Sequence, residues 1–216
     1  MGPAAGVARV VHVVDDDVGM RNALSTLLQA AGYQVSTYAS AREFLLARPG
    51  SPGCVILDVR MPGQNGLDMQ QALAGDDAPL PVVFLTAHGD IPMSVRAVKA
   101  GAVDFLTKPV KRATLLAAVD AALARDAAQR AGREELRVLR SRYESLTARE
   151  QQVLALVVTG SSNKQTGGDL GIAERTVKIH RARVMEKMQA VSLAELVHMA
   201  EQLGLGLSGP RTTPRD

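Results

Sequence analysis

Val55-Ile-Leu-Asp-Val-Arg-Met-Pro-Gly63 is the stretch that decides the fold. Three aliphatic residues, preceded by Cys54, run straight into one carboxylate, Asp58, and a Met-Pro-Gly turn follows. A short apolar run bounded by turn residues, without polar alternation, is the pattern of a strand covered on both faces, as in a parallel sheet. Asp58 then falls at the strand's carboxyl end, the edge where open α/β sheets place their chemistry. Alone, an Asp there is also an ordinary turn residue. The flanking segments decide between these readings.

Four more runs read as strands: residues 9–14, 34–38, 81–86 and 103–107. The first ends in Asp15-Asp16-Asp17, the third in Thr86, and Lys108-Pro109 follows the last. Helices are expected between them. Met20, Leu24, Leu27, Leu28 and Ala31 keep helical spacing over 18–31, and Gly32 closes that helix. Ser40 and Glu43 form a capping box that opens a second. Residues 67–73 and 92–100 read as two more, and the chain is helical again from Lys111. Five strand–helix alternations predict an α/β unit: a five-stranded, doubly wound parallel sheet with helices on both faces and right-handed crossovers.

In such a sheet the strand ends converge, which gathers Asp15, Asp16, Asp58, Thr86 and Lys108 around one pocket. Clustered carboxylates repel one another and call for a cation, and an all-oxygen set favours Mg²⁺. A carboxylate beside it can accept a phosphoryl group covalently. A hydroxyl and an ammonium suit the phosphoryl oxygens.

The chain has 216 residues, 46% hydrophobic, 22% charged and 3% aromatic, with no Trp. That implies one or two globular domains with cores of Ala, Val, Leu and Met. One cysteine, Cys54, excludes an intramolecular disulfide, and no Cys/His ligand spacing exists, which fits a reducing cytoplasm. The N-terminus lacks the pattern of a signal peptide. No apolar run is long enough to span a membrane. Net charge is −1 over residues 1–123 and +2 over each of 124–145 and 146–216. This surplus is too weak to argue for nucleic acid by itself.

Residues 111–145 read as helical, and Leu136, Leu139, Tyr143 and Leu146 at their end follow 3-4-3 spacing as a narrow stripe. It fits either a connector that pairs with another helix or an amphipathic helix packed on its own domain. Residues 146–204 read as four helices, with capping boxes at Thr147/Glu150, Ser162/Gln165 and Ser192/Glu195. The second and third, Ser162–Leu170 and Glu174–Met188, fit a helix-turn-helix. The third carries Arg175, Lys178, His180, Arg181, Arg183 and Lys187 around an apolar face of Val177, Val184 and Met188. Basic residues on an exposed face would meet phosphates, although a solvated basic face looks the same in sequence.

The pieces VVDDD (13–17), LDVRMPG (57–63), FLTAHGD (84–90) and GAVDFLTKP (101–109) resemble the receiver domain of bacterial two-component response regulators, a flavodoxin-like fold. The resemblance implies that Asp58 is the phosphoacceptor. Asp16, Asp58 and the backbone carbonyl of Arg60 would bind Mg²⁺, with Asp15 acting through water. Thr86 and Lys108 would hold the phosphoryl group, and the Lys108–Pro109 peptide would be cis. Phe105 falls at the family's aromatic switch position, where a plain core Phe is the alternative. Val95, Val98 and Lys99 fall on the helix that dimerises in the family; the alternative is partial core packing of the valines with Lys99 exposed.

The pieces LTAREQQVLALVVTGSSNKQ (146–165) and ERTVKIHRARVMEKMQAVSLAELVHMA (174–200) closely resemble the DNA-binding domain of the NarL/FixJ (LuxR-type) regulators, and the whole chain looks nearest to the FixJ branch. By resemblance Lys178, Ile179 and Ala182 read bases, while Thr176, Arg181, Arg183 and Lys187 contact phosphates. His180 suits either phosphate contact or helix packing. The chain departs from the family at Thr166-Gly167, usually Ile-Ala, at Gly168, and at Ala173, usually a Ser cap. Two helical glycines at about 1 kcal/mol each predict a loose helix.

The expected organisation is a receiver over 8–125, a helical linker over 126–145, a helix-turn-helix domain over 146–206 and a disordered tail over 207–216. The expected partners are a sensor histidine kinase, double-stranded promoter DNA, a second copy of the phosphorylated chain and, as a further candidate, RNA polymerase. A Mg²⁺-dependent phosphatase reusing the pocket would need a substrate-selecting element, and the sequence offers none.

Overall fold

The computed structural model describes residues 10–205 apart from 48–49, 64, 76–77 and 88. The expected tail over 207–216 lies outside the described residues. The chain forms two compact units, Met1–Arg130 and Ala131–Asp216.

In the first unit β1 (Val10–Val14), β2 (Gln34–Tyr38), β3 (Gly53–Leu57), β4 (Val82–Thr86) and β5 (Asp104–Thr107) alternate with helices. The helices are α1 (Val18–Ala30), α2 (Ala41–Ala47), α3 (Gly66–Ala74), α4 (Ile91–Lys99) and the start of α5 (Arg112–Glu144). All strand pairs are parallel, in the order β2-β1-β3-β4-β5. The stretch around Val55 is therefore the middle strand, and every residue of β3 is buried. Side chains alternate between faces. Val11, Val13, Ile56, Val83 and Leu85 pack with Leu24, Leu28, Leu115 and Val119 of α1 and α5. Val14, Val55, Leu57 and Phe84 pack with Phe44, Met69 and Ala97 of α2, α3 and α4.

Packing in this unit continues past the expected boundary at residue 125. Asp126, 2% exposed, accepts from the Gly53 N–H at 3.0 Å and from Arg130, whose guanidinium also reaches the Ser51 carbonyl. The stretch expected as a helical linker over 126–145 continues a helix that begins at Arg112 and runs to Glu144.

The second unit holds α6 (Ala148–Val158), α7 (Asn163–Leu170), α8 (Glu174–Met188) and α9 (Leu193–Gln202). Both halves of the capping boxes at Thr147/Glu150 and Ser162/Gln165 form. Leu139 and Leu146 join Val153, Leu154, Val157, Val184, Met188 and Leu196 in the core, with Tyr143 packed beside them. Leu139, Tyr143 and Leu146 of the stripe therefore serve their own unit, while Leu136 is half-buried outside that cluster.

Candidate functional site

Asp15 follows β1 and is 2% exposed; Asp58 follows β3 and is 9% exposed. Because β1 and β3 are neighbours in the sheet, the two carboxylates share one strand-end pocket. The Lys108 ammonium, just beyond β5, lies 2.6 Å from Asp15 Oδ2 and 3.3 Å from Asp58 Oδ2. Burial works to lower the Lys108 pKa, but the bonds and charges of Asp15 and Asp58 outweigh it and hold the ammonium above its ordinary value. Thr86 ends β4, fully buried, and its carbonyl accepts from the Lys108 N–H at 2.9 Å. The Lys108–Pro109 peptide is cis.

Asp16 is exposed, and one carboxylate oxygen from each of Asp15, Asp16 and Asp58 lies within 4.8 Å of the others. Three carboxylates against one ammonium leave a local charge of about −2, and an all-oxygen, doubly negative pocket fits a hard divalent cation. Asp17 stands apart from this set. Its carboxylate accepts from the Gly19 and Met20 N–H groups at the start of α1, and those bonds hold its pKa below the usual carboxylate range. Arg60 lies in the loop after β3 and donates its N–H to Asp58 Oδ1 at 3.4 Å.

Phe105 is half-buried on β5, its ring 5.8 Å from that of Phe84. A side chain at Gly89 would stand 2.8 Å from the Phe105 ring, so only glycine leaves that ring its present place. On α4 only Ala97 is buried. Val95, Val98 and Lys99 face solvent, and so does Ile91, 80% exposed. Sequence reading missed Ile91, although its spacing to Val95 and Val98 marks one helical face.

On α8 the side chains divide sharply. Val177, Val184 and Met188 are buried, while Arg175, Lys178, Ile179, Ala182 and Arg183 form one exposed face. Lys178 pairs there with Glu174 at 3.3 Å. Thr176 is half-buried. Two residues expected at phosphates have partners within their own unit. Arg181 turns toward α7 and donates to Asn163 Oδ1 at 3.1 Å. Lys187 pairs with Glu150 at 2.6 Å and donates to the Ser145 carbonyl, so its ammonium is committed to its own domain. His180 is half-buried, with Nδ1 enclosed and lacking a protein partner, which favours its packing role. Ala173 caps α8 without a side-chain bond, as its residue type requires.

Residues 11–120 match the response regulator receiver domain, and residues 144–200 match the luxR family of bacterial regulatory proteins. The chain is 47% identical over 210 residues to Nodulation protein W of Bradyrhizobium diazoefficiens, covering 97% of this chain and 92% of that protein. It is 45% identical over 196 residues to Transcriptional regulatory protein FixJ of Azorhizobium caulinodans, covering 90% of this chain and 93% of that one. A low-resolution structure of the response regulator StyR matches with a TM-score of 0.79 at 49% identity, covering 90% of this chain and 99% of StyR.

Proposed function

We infer the mechanism from one premise: the chain belongs to the response regulators that join a receiver domain to a luxR-type DNA-binding domain. It is a transcription regulator of a two-component system. Among the described residues no helix is long and apolar enough to cross a membrane, and our reading places the chain in the cytoplasm.

In our reading a sensor histidine kinase supplies the phosphoryl group. An Asp58 carboxylate oxygen attacks phosphorus, the bond from phosphorus to the donor's imidazole nitrogen breaks, and an acyl phosphate remains on Asp58. Asp16, Asp58 and the Arg60 carbonyl would hold Mg²⁺, with Asp15 reaching it through water. When bound, that ion would offset the charge on the phosphoryl oxygens. Lys108 and the Thr86 hydroxyl would bind those oxygens. The acyl phosphate carries about −2 where the carboxylate carried −1, so the modification adds about −1 charge, and three acceptor oxygens, to a buried pocket. Thr86 then turns inward, Phe105 follows into the vacated space, and the α4–β5 surface changes. Receivers dimerise there, and two α8 helices meet promoter DNA half-sites. The chain has no separate substrate, and RNA polymerase is a candidate contact of the bound dimer.

The observation that carries this reading is Lys108, which bridges Asp15 and Asp58 across the strand ends. Gel filtration and promoter footprinting of wild type and Asp58→Asn, with a small phosphodonor and Mg²⁺, test it. Wild type should dimerise and protect the promoter; Asp58→Asn should do neither. Dimerisation of Asp58→Asn on adding phosphodonor would place the switch elsewhere.

A further inference from the structure

We propose that Arg21 is a positioning residue for the acidic pocket, holding the Asp15–Asp17 turn so that the exposed Asp16 carboxylate is set for a divalent cation. The proposal rests on the reading above, that this pocket takes Mg²⁺.

Asp15 still donates its N–H to the Tyr38 carbonyl at 3.2 Å, but the chain leaves the sheet at that point. Its carbonyl is taken by Arg21 Nη1 at 2.6 Å. Asp15 Oδ1 accepts from the Asp17 N–H at 2.9 Å, a side-chain turn that closes over Asp16. Asp17 in turn caps α1, and its carbonyl accepts from the Arg21 N–H at 3.0 Å. Both neighbours of Asp16 are therefore pinned, and Arg21 ties α1 back to the end of β1. Arg21 is the one charged residue in α1, so no other cation on that helix can take its place.

The sign of the effect separates positioning from plain electrostatics. A guanidinium near a cation site repels the cation, so removing its charge should tighten Mg²⁺ binding if charge were its only influence. Removing a bond that orients the ligands should weaken binding instead.

The test is calorimetric titration of the full chain with MgCl₂, with the thermal midpoint and phosphodonor labelling of Asp58 followed in parallel. Arg21→Met is expected to weaken Mg²⁺ binding about tenfold, the lower end for residues that orient metal ligands. Arg21→Lys, which keeps charge and donor, should stay near wild type. Labelling at saturating Mg²⁺ should be close to wild type in both. Mg²⁺ binding by Arg21→Met as tight as wild type, or tighter, overturns the proposal. Weakened binding in both variants with a matching fall in thermal midpoint also overturns it, since that is general loss of structure. If Arg21→Met fails to fold, Arg21→Leu, which also lacks charge and donor, takes its place with the same expected direction. A wild type that binds no Mg²⁺ overturns the pocket reading and this proposal together, whereas labelled Asp58 with an indifferent Arg21→Met overturns the proposal alone.

Discussion

Lys187 of α8 and Glu150 of α6 form an ion pair at 2.6 Å, with the Glu150 side chain 2% exposed and that of Lys187 34% exposed. Glu150 also completes the cap of α6, accepting from the Thr147 N–H. The pair closes the base of the DNA-binding unit. Lys187→Met should destabilise that unit by about 2 kcal/mol, because an enclosed carboxylate loses its partner while solvent reaches part of the pair. Lys187 holds the Glu150 pKa below its ordinary value. Its contribution is therefore present above the unfolded Glu pKa and lost as pH falls through the folded one. Urea unfolding at two pH values measures both. Unchanged stability with weakened DNA binding would return Lys187 to the phosphates.

Helix α7 carries two separable defects. The Thr166 hydroxyl is fully buried without a protein partner, so Thr166→Val should stabilise by about 1–2 kcal/mol. A Cβ at Gly168 would meet nothing within 4 Å, so Gly168→Ala should add about 1 kcal/mol. Gly167→Ala should not help, because its Cβ would stand 2.8 Å from the Ile172 carbonyl. Hydrogen exchange of α7 amides reads all three. Slower exchange in Gly167→Ala than in Gly168→Ala would reverse this assignment.

His12 sits 1% exposed on β1, against the Phe44 ring at 5.5 Å and the Tyr38 ring at 5.9 Å. Burial pushes its imidazole down to about 4. The unfolded chain accepts that proton near the ordinary value of about 6.5. Between those values the unfolded state binds more protons, so receiver stability should fall as pH is lowered from about 6.5 to about 4. His12→Leu should flatten that part of the urea-midpoint profile; an unaltered slope would assign it to other groups.

Ile91, Val95 and Val98 line one exposed face of α4. If that face joins two receivers, Val98→Asp should abolish the phosphodonor-dependent dimer while Asp58 is still modified. Gel filtration beside a phosphate-affinity gel separates the two effects, and a surviving dimer would move the interface off α4.

Lys178 and Arg183 lie on the same face of α8 and should fail differently. Lys178→Ala should cost about 1–3 kcal/mol on specific promoter DNA and relax sequence preference. Arg183→Ala should weaken all sequences alike and lower the salt slope by about 1. Binding isotherms on specific and random duplexes across a salt series distinguish these outcomes. Loss of selectivity in Arg183→Ala alone would exchange the roles.

Much of the receiver could be read along the chain, for a local reason. Parallel strands in a doubly wound unit are short apolar runs, and their ends must meet. Asp15, Asp58, Thr86 and Lys108 each end or follow such a run, and the structure brings Asp15, Asp58 and Lys108 within bonding distance. The caps at Thr147 and Ser162 were equally legible, because each joins residues three apart. Ile91 escaped because that helix was read as starting at residue 92, which cut the first member of the Ile91, Val95, Val98 spacing off its face.

The sequence by itself determined the two kinds of unit, the sheet edge that carries the site and the residues that end each strand, since these depend on spacing a few residues long. Tertiary structure decided which basic residues of α8 face outward. Arg175, Lys178, Arg181, Arg183 and Lys187 are alike in sequence, yet Arg181 turns to Asn163 and Lys187 to Glu150. It also set the receiver's last packed residues, through Asp126 and the Gly53 N–H. In each case the partner comes from a distant segment, and a side chain's direction is fixed by that partner and by the rotation of its helix against the core.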